Sequence, residues 1–268
     1  MNNDNGKLPD FIICGFQKCG TTALGHNLNQ HPKVNVALTN HEKAKGSHGK
    51  EFNFFCNETS ITASTYYEGI DWYKSHFKQN RSLWGESSPN YGTSHTKPTF
   101  IGTVPGVLGN MKKHLKNTKI IFSLRNPIYR AYSAYNHYMQ LFKQKNIKYG
   151  DWKPDKSFVW NFENYECTFD RNYISCIKKY ESVFPRKLIH IVNQEKLKSN
   201  EFQSEYDKLF NFLNVKSHLM INNPSHERTY ETSISKKEIE FLKDFYKNSV
   251  QNLFDWLGYE IKEWTEFV

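Results

Sequence analysis

The chain has 268 residues, enough to bury a large core, and one α/β domain is the natural expectation. Its 36 Lys and Arg against 27 Asp and Glu leave a net charge of +9, which suits an anionic ligand, an acidic polymer or a membrane surface without choosing among them, and taken alone favours a merely soluble basic protein. Aromatic residues at 16% are too many for a disordered chain, and no stretch approaches the ~20 apolar residues that a membrane span needs.

Residues 1–9 carry no charged-then-apolar leader and are expected to be a flexible N-terminus. The apolar run Phe11-Ile12-Ile13-Cys14, between Pro9-Asp10 and Gly15, predicts a buried strand. Gly20 permits a tight turn, and Thr21-Thr22 open a helix expected to reach about Gln30, before Pro32. Strand, glycine-bounded loop and helix N-terminus together make an anion site, with Lys18 adding a full charge and the threonines adding hydroxyls. The Walker pattern puts Lys directly after the second glycine, where this chain has Thr21. Such a corner also occurs in any α/β protein, so a phosphate cradle and an ordinary turn both remain readings of it.

Residues 33–36 predict a short strand, and 40–50 a polar loop ending in Lys50-Glu51-Phe52-Asn53-Phe54-Phe55. Glu51 reads either as an exposed residue on an edge strand or as a carboxylate whose pKa its aromatic neighbours raise. Residues 82–86 predict a strand, 96–109 a loop, and 110–116 a short helix. A second apolar strand, Lys119 to Leu124, delivers Arg125; Asn126 can cap the helix that follows, and Pro127 suits its first turn. Arg125 at that strand end and Ser133 on the helix can converge where open α/β sheets bind ligands, or be a surface ion pair and a helix-face residue. Residues 142–156 read as a basic, aromatic surface loop. Helices are expected near 157–165, 171–184, 201–213 and 236–257, the last stopped by Gly258, with a strand at 187–192. A lone loop histidine such as His226 is usually just exposed.

Five cysteines form no CxxC pair, which favours a reducing compartment and a cytoplasmic setting, although Cys167 and Cys176 can pair if the surroundings oxidise. The sequence shows no clear metal cluster.

Lys18-Cys19-Gly20-Thr21-Thr22-Ala23-Leu24 with His31-Pro32-Lys33-Val34 resembles the 5′-phosphosulfate-binding loop of sulfotransferases that use 3′-phosphoadenosine 5′-phosphosulfate (PAPS). Arg125-x-Pro-x-x-Arg-x-x-Ser133-x-Tyr matches that family's 3′-phosphate motif throughout. Lys50-Glu51-x-x-Phe-Phe resembles the segment supplying the general base in heparan-sulfate-type members, and Glu86-Ser87-Ser88-Pro89-Asn90-Tyr91 resembles a Glu-Lys-Ser-Pro-x-Tyr turn whose lysine is Ser87 here. His226-Glu227-Arg228-Thr229-Tyr230 resembles a cofactor-closing loop, with His226 and Glu227 where the family has Lys and Gly.

The resemblance implies a P-loop-like α/β fold in a single domain over 1–268, with a mostly parallel sheet flanked by helices. It implies PAPS as cofactor and adenosine 3′,5′-bisphosphate (PAP) as product, without a metal. Lys18, Gly20, Thr21 and Thr22 would bind the 5′ side, and Arg125, Ser133, Arg228 and Tyr230 the 3′ side. Glu51, Lys18 and His226 are the candidate catalytic residues. The expected partner is an acceptor, a carbohydrate or else a small alcohol or amine, with no nucleic acid and no membrane span. A Golgi enzyme trimmed of its anchor would read the same as a cytoplasmic one. Two other classes stay open: a P-loop kinase using ATP, and a non-catalytic polyanion-binding module.

Overall fold

The computed structural model describes residues 6–39, 51–56, 64–80, 82–92, 104–145, 153–164, 172–222 and 233–268. The chain divides into two compact units, Met1–Leu124 with Cys176–Ser225 and Arg125–Ser175 with His226–Val268. The first unit holds a parallel sheet of β1 (Phe11–Gly15), β2 (Val34–Val36), β3 (Leu83–Ser87), β4 (Lys119–Leu124) and β5 (Ile189–Asn193), in the order β2-β3-β1-β4-β5.

β1 is buried along its whole length, as its uninterrupted apolar run requires of a strand covered on both faces. On one face Phe11 and Ile13 pack with Leu24 and Leu28 of α1 (Thr21–Leu28) and with Tyr206, Leu209 and Leu213 of a C-terminal amphipathic helix, Phe202–Leu213. The chain runs from β1 out to β2, returns to β3 beside β1, then crosses to β4 on the other side. The carboxyl ends of β1 and β4 therefore bound the topological switch point, the usual binding crevice of open α/β sheets.

Elsewhere in this unit, α2 (Gly69–Lys74) carries Tyr73 into an aromatic cluster with Phe52, Phe54 and Phe55, and α3 spans Val104–His114. The N-terminal lead-in, expected to be flexible, is tied down from Lys7: its N–H donates to the Phe77 carbonyl at 3.0 Å and its ammonium meets Asp10 at 2.6 Å. α3 begins where the glycines and prolines of 96–109 predicted a loop. Pro105 falls in the first turn, where a missing N–H costs nothing, so the composition was compatible with a helix start. Glu51 stands on an irregular stretch rather than an edge strand.

In the second unit, α4 (Pro127–Lys145) starts as expected, with the Ile128 N–H donating to Asn126 Oδ1 at 3.0 Å. It runs into what read as a surface loop from Phe142. α5 covers Phe158–Asn164, and α6 (Tyr173–Glu181), whose residues from Cys176 on belong to the first unit, starts two residues after the expected point. The helix after β5, Phe202–Leu213 of the first unit, is α7, and the last, Lys236–Leu257 of the second, is α8. α8 opens on a reciprocal capping box between Ser235 and Glu238 and ends on Gly258 at φ 78°, a left-handed position that glycine adopts without strain. No helix among the described residues is long and apolar enough to cross a membrane.

Candidate active site

β1 ends in a bulge: Ile13 pairs with Ile121 but Gly15 pairs with Phe122, so the strand turns as the loop begins. Ser123 of β4 then holds the loop at two points. Its carbonyl accepts from the Phe16 N–H at 3.1 Å, and its hydroxyl donates to the Cys19 carbonyl at 2.6 Å. Lys18, half-buried between these ties, has φ 65°, and Gly20 follows at φ 72° as the N-cap of α1. Among the described residues no side chain caps α1, so the N–H groups of its first turn face out of the helix end, beside buried Thr21 and exposed Thr22. The loop therefore combines backbone donors with two threonines and a lysine, residue types an anion site uses.

Gly20 is required there twice over. Beyond its left-handed φ, a Cβ would lie 2.2 Å from Oε1 of buried Gln194, which follows β5 and whose Oε1 has no hydrogen-bond partner among the described residues. Gly20→Ala is expected to lose roughly 1–2 kcal/mol to backbone strain and to weaken anion binding as the Gln194 amide is pushed aside. Urea denaturation read beside PAP calorimetry checks both effects.

Glu51 is half-buried and joined to this loop through one residue. Asn90, in the turn after β3, donates from Nδ2 to Glu51 Oε2 at 3.4 Å and to Asn53 Oδ1 at 3.0 Å, while its Oδ1 accepts from Gln17 Nε2. Gln17 immediately precedes Lys18. The structure thus links Glu51, which sequence pattern could equally have left on a solvated edge, to the loop that carries Lys18. Behind it, Glu86 is completely buried and accepts from three hydroxyls: Tyr73 at 2.6 Å, Tyr91 at 2.9 Å and Ser88 at 2.5 Å. Burial pushes its carboxyl up to about 7, the three donors acting the other way.

In the second unit, Arg125 directly follows the last residue of β4, and its carbonyl accepts from the Tyr173 hydroxyl at 2.8 Å. Ser133 is buried on α4. Arg130, three positions earlier, is wholly buried, donates to the Tyr246 hydroxyl at 3.0 Å and lies 5.9 Å from the Tyr173 ring centre, a structural role. Tyr135 packs edge-on against Phe158. His226, Arg228 and Tyr230 lie outside the described residues, as does Cys167. Among the described residues no group of three or more His, Cys, Asp or Glu side chains is arranged to hold a metal.

Sequence reasoning gave no role to Gln17, Asn90 or Gln194, and quoted Glu86 only as a motif letter. Their signal lies in contacts between distant segments. The one local hint was the polar Asn90 inside the turn between Pro89 and Tyr91.

Comparison with known proteins bears on these elements together. The membrane-associated sulfotransferase kil1 of Dictyostelium discoideum is 34% identical over 143 residues, 51% of this chain and 24% of that protein. Heparan sulfate glucosamine 3-O-sulfotransferase 5 of Mus musculus is 27% identical over 196 residues, 71% of this chain and 49% of that protein. The chain spans about half or less of the length of these curated relatives. In fold it is similar to a crystal structure of a sulfotransferase from Alicyclobacillus acidocaldarius, with TM-score 0.67 and 21% identity over 96% of this chain and 99% of that one. It is also similar to a mouse sulfotransferase solved with PAP, with TM-score 0.52 and 11% identity over 93% and 87% of the two chains. The sulfotransferase domain model matches residues 8–265, nearly the whole chain, and the chain therefore belongs to the sulfotransferase family.

Proposed function

We propose that this chain transfers a sulfuryl group from PAPS to a hydroxyl or amine of a carbohydrate acceptor, with Glu51 as the base. The observation that carries the reading is the Asn90 bridge, which ties the Glu51 carboxylate to the loop holding Lys18. In-line transfer needs a nucleophile, a proton acceptor, and positive charge where the leaving oxygen becomes negative.

PAPS supplies the sulfuryl group. The uncapped first turn of α1, the glycine cradle against Gln194 and the ammonium of Lys18 fit its 5′ end. Lys18 would neutralise charge developing on the oxygen that bridges sulfur to the 5′-phosphate. Gly20, Thr21 and Thr22 would donate to the phosphosulfate. Arg125, Ser133 and Arg228 would hold the 3′-phosphate, with Tyr230 closing over the nucleotide and His226 facing the transferring group. The acceptor oxygen or nitrogen would form the bond to sulfur as the bond to the bridging oxygen breaks, and Glu51 would take the acceptor proton. The products are the sulfated acceptor and PAP. Both compact units serve one catalytic domain in this reading, because the family model runs through both.

A carbohydrate acceptor is supported by the heparan sulfate sulfotransferases among the curated relatives, and the net charge of +9 is compatible with an acidic one. Calorimetric titration with PAP, ATP and 5′-AMP tests the donor half. PAP is expected to bind at micromolar Kd and 5′-AMP much more weakly, and Arg125→Ala should erase most of that difference. Each charge-assisted contact to phosphate is worth about 1.5–3 kcal/mol, so the loss should be at least tenfold. A preference for ATP would instead favour a kinase. Transfer of ³⁵S from labelled PAPS to de-N-sulfated heparin, set beside simple alcohols and amines, tests the acceptor half.

A further inference from the structure

The segment carrying Glu51 has no regular structure, yet side chains from one turn hold its backbone in place. The Asn53 N–H donates to Ser88 Oγ at 3.0 Å, and the Phe55 N–H donates to Tyr91 Oη at 3.3 Å. Each of these hydroxyls has a single proton, and each donates it to Glu86. Because those protons point at the carboxylate, the oxygen lone pairs are left facing the two amides. The carboxylate is held by Tyr73, Ser88 and Tyr91 rather than by the 51–55 backbone, but it sets the direction of both hydrogen bonds that hold that backbone.

Taking Glu51 as the base, as above, we propose that Glu86 is a positioning residue for it. Its buried carboxylate orients the Ser88 and Tyr91 hydroxyls so that they grip the segment carrying Glu51. A neutral side chain of the same shape cannot reproduce this. An amide can accept from the hydroxyls on one side only, and on the other it donates, turning one hydroxyl around. A protonated Glu86 has the same defect.

The groups facing Glu86 are Tyr73 from α2, Ser88 and Tyr91 from the turn after β3, and the thiols of Cys14 on β1 and Cys56. Burial raises the pKa of both tyrosines and both thiols, so they stay neutral through the neutral range while Glu86, held near 7, titrates within it. The sign follows. The gripping arrangement needs the ionised form, so turnover rises with pH through about 7 and falls below it.

The test measures ³⁵S transfer to de-N-sulfated heparin over pH 5.5–8.5 (about one unit or more on each side of the Glu86 titration). The proteins compared are wild type, Glu86→Gln, Glu51→Gln and the double variant. We expect Glu86→Gln to lower kcat about 10–100-fold, leave KM for PAPS within about twofold, and remove the rise near 7. In the Glu51→Gln background it should cost nothing further, because a residue that acts only through Glu51 has nothing left to position. Equal losses in both backgrounds, or an unchanged kcat, would overturn the proposal. Full activity in Glu51→Gln alone would instead sink the base assignment, a distinguishable result.

A second arm needs no acceptor and survives a failure of Glu86→Gln to fold. Hydrogen exchange at the Asn53 amide should accelerate at least about tenfold in Ser88→Ala, and that at Phe55 likewise in Tyr91→Phe. In wild type both amides should exchange faster below about pH 7, after correction for intrinsic rates, than above it. Exchange indifferent to either hydroxyl and to pH refutes the grip.

Discussion

Lys18→Ala is expected to bring sulfate transfer close to zero, a loss of at least about 10²–10³-fold in kcat, while the fold persists. The reason lies in where the residue is held. Lys18 occupies a left-handed backbone position in a loop pinned on both sides by Ser123, three residues before α1 begins, and in the proposed reaction that fixed backbone holds its charge at the 5′ side. A charge fixed in advance at the leaving oxygen needs no rearrangement as negative charge develops, which is why its removal costs more than a surface ammonium would. Lys18→Arg should rescue poorly, because a planar fork does not replace a compact point charge in a tight loop. Single-turnover transfer from saturating labelled PAPS separates this effect from weaker binding. Near-normal turnover in Lys18→Ala would remove the residue from the mechanism.

The loop around Lys18 was legible because its determinants are local. A five-residue apolar strand, two glycines and a pair of threonines follow one another, and each forces the next element. The same holds for the strand ending before Arg125, for the Asn126-Pro127 start of α4, and for α8, whose capping box and terminal Gly258 bracket it within a residue of the expected limits.

What could not be read is what distance in the chain conceals. Asn90 meets Glu51 across 39 residues and Gln17 across 73, and no spacing rule links such positions. Glu86 looked like a polar residue ending a strand. Its burial becomes intelligible only once Tyr73, Ser88 and Tyr91 are seen to surround it. Gln194 likewise looked like an ordinary residue after a strand, and only folding brings its amide against Gly20. Local pattern thus announces the strand, loop and helix start around Lys18, whereas the contacts of Glu51, Glu86 and Gln194 are assembled from tertiary structure.

Glu51→Gln is expected to lower kcat by about 10²–10⁴-fold while leaving PAP affinity within about twofold. The substitution isolates basicity from shape. A glutamine carbonyl can still accept from Asn90 Nδ2, so the bridge to Gln17 and the anion loop survives, but the side chain can no longer take a proton from the acceptor. Glu51→Asp makes the complementary change, keeping the carboxylate but drawing it back by one methylene from a contact that is already 3.4 Å long. Proton transfer demands hydrogen-bond reach, so the aspartate should retain part of the activity. The order Glu above Asp, with Gln far below, is the signature of a base held at a set distance. Were Asp and Gln equally impaired, position rather than proton transfer would be what Glu51 supplies. If Gln matched the wild type, the proton would have to leave by another group, and the Asn90 bridge would be structural alone.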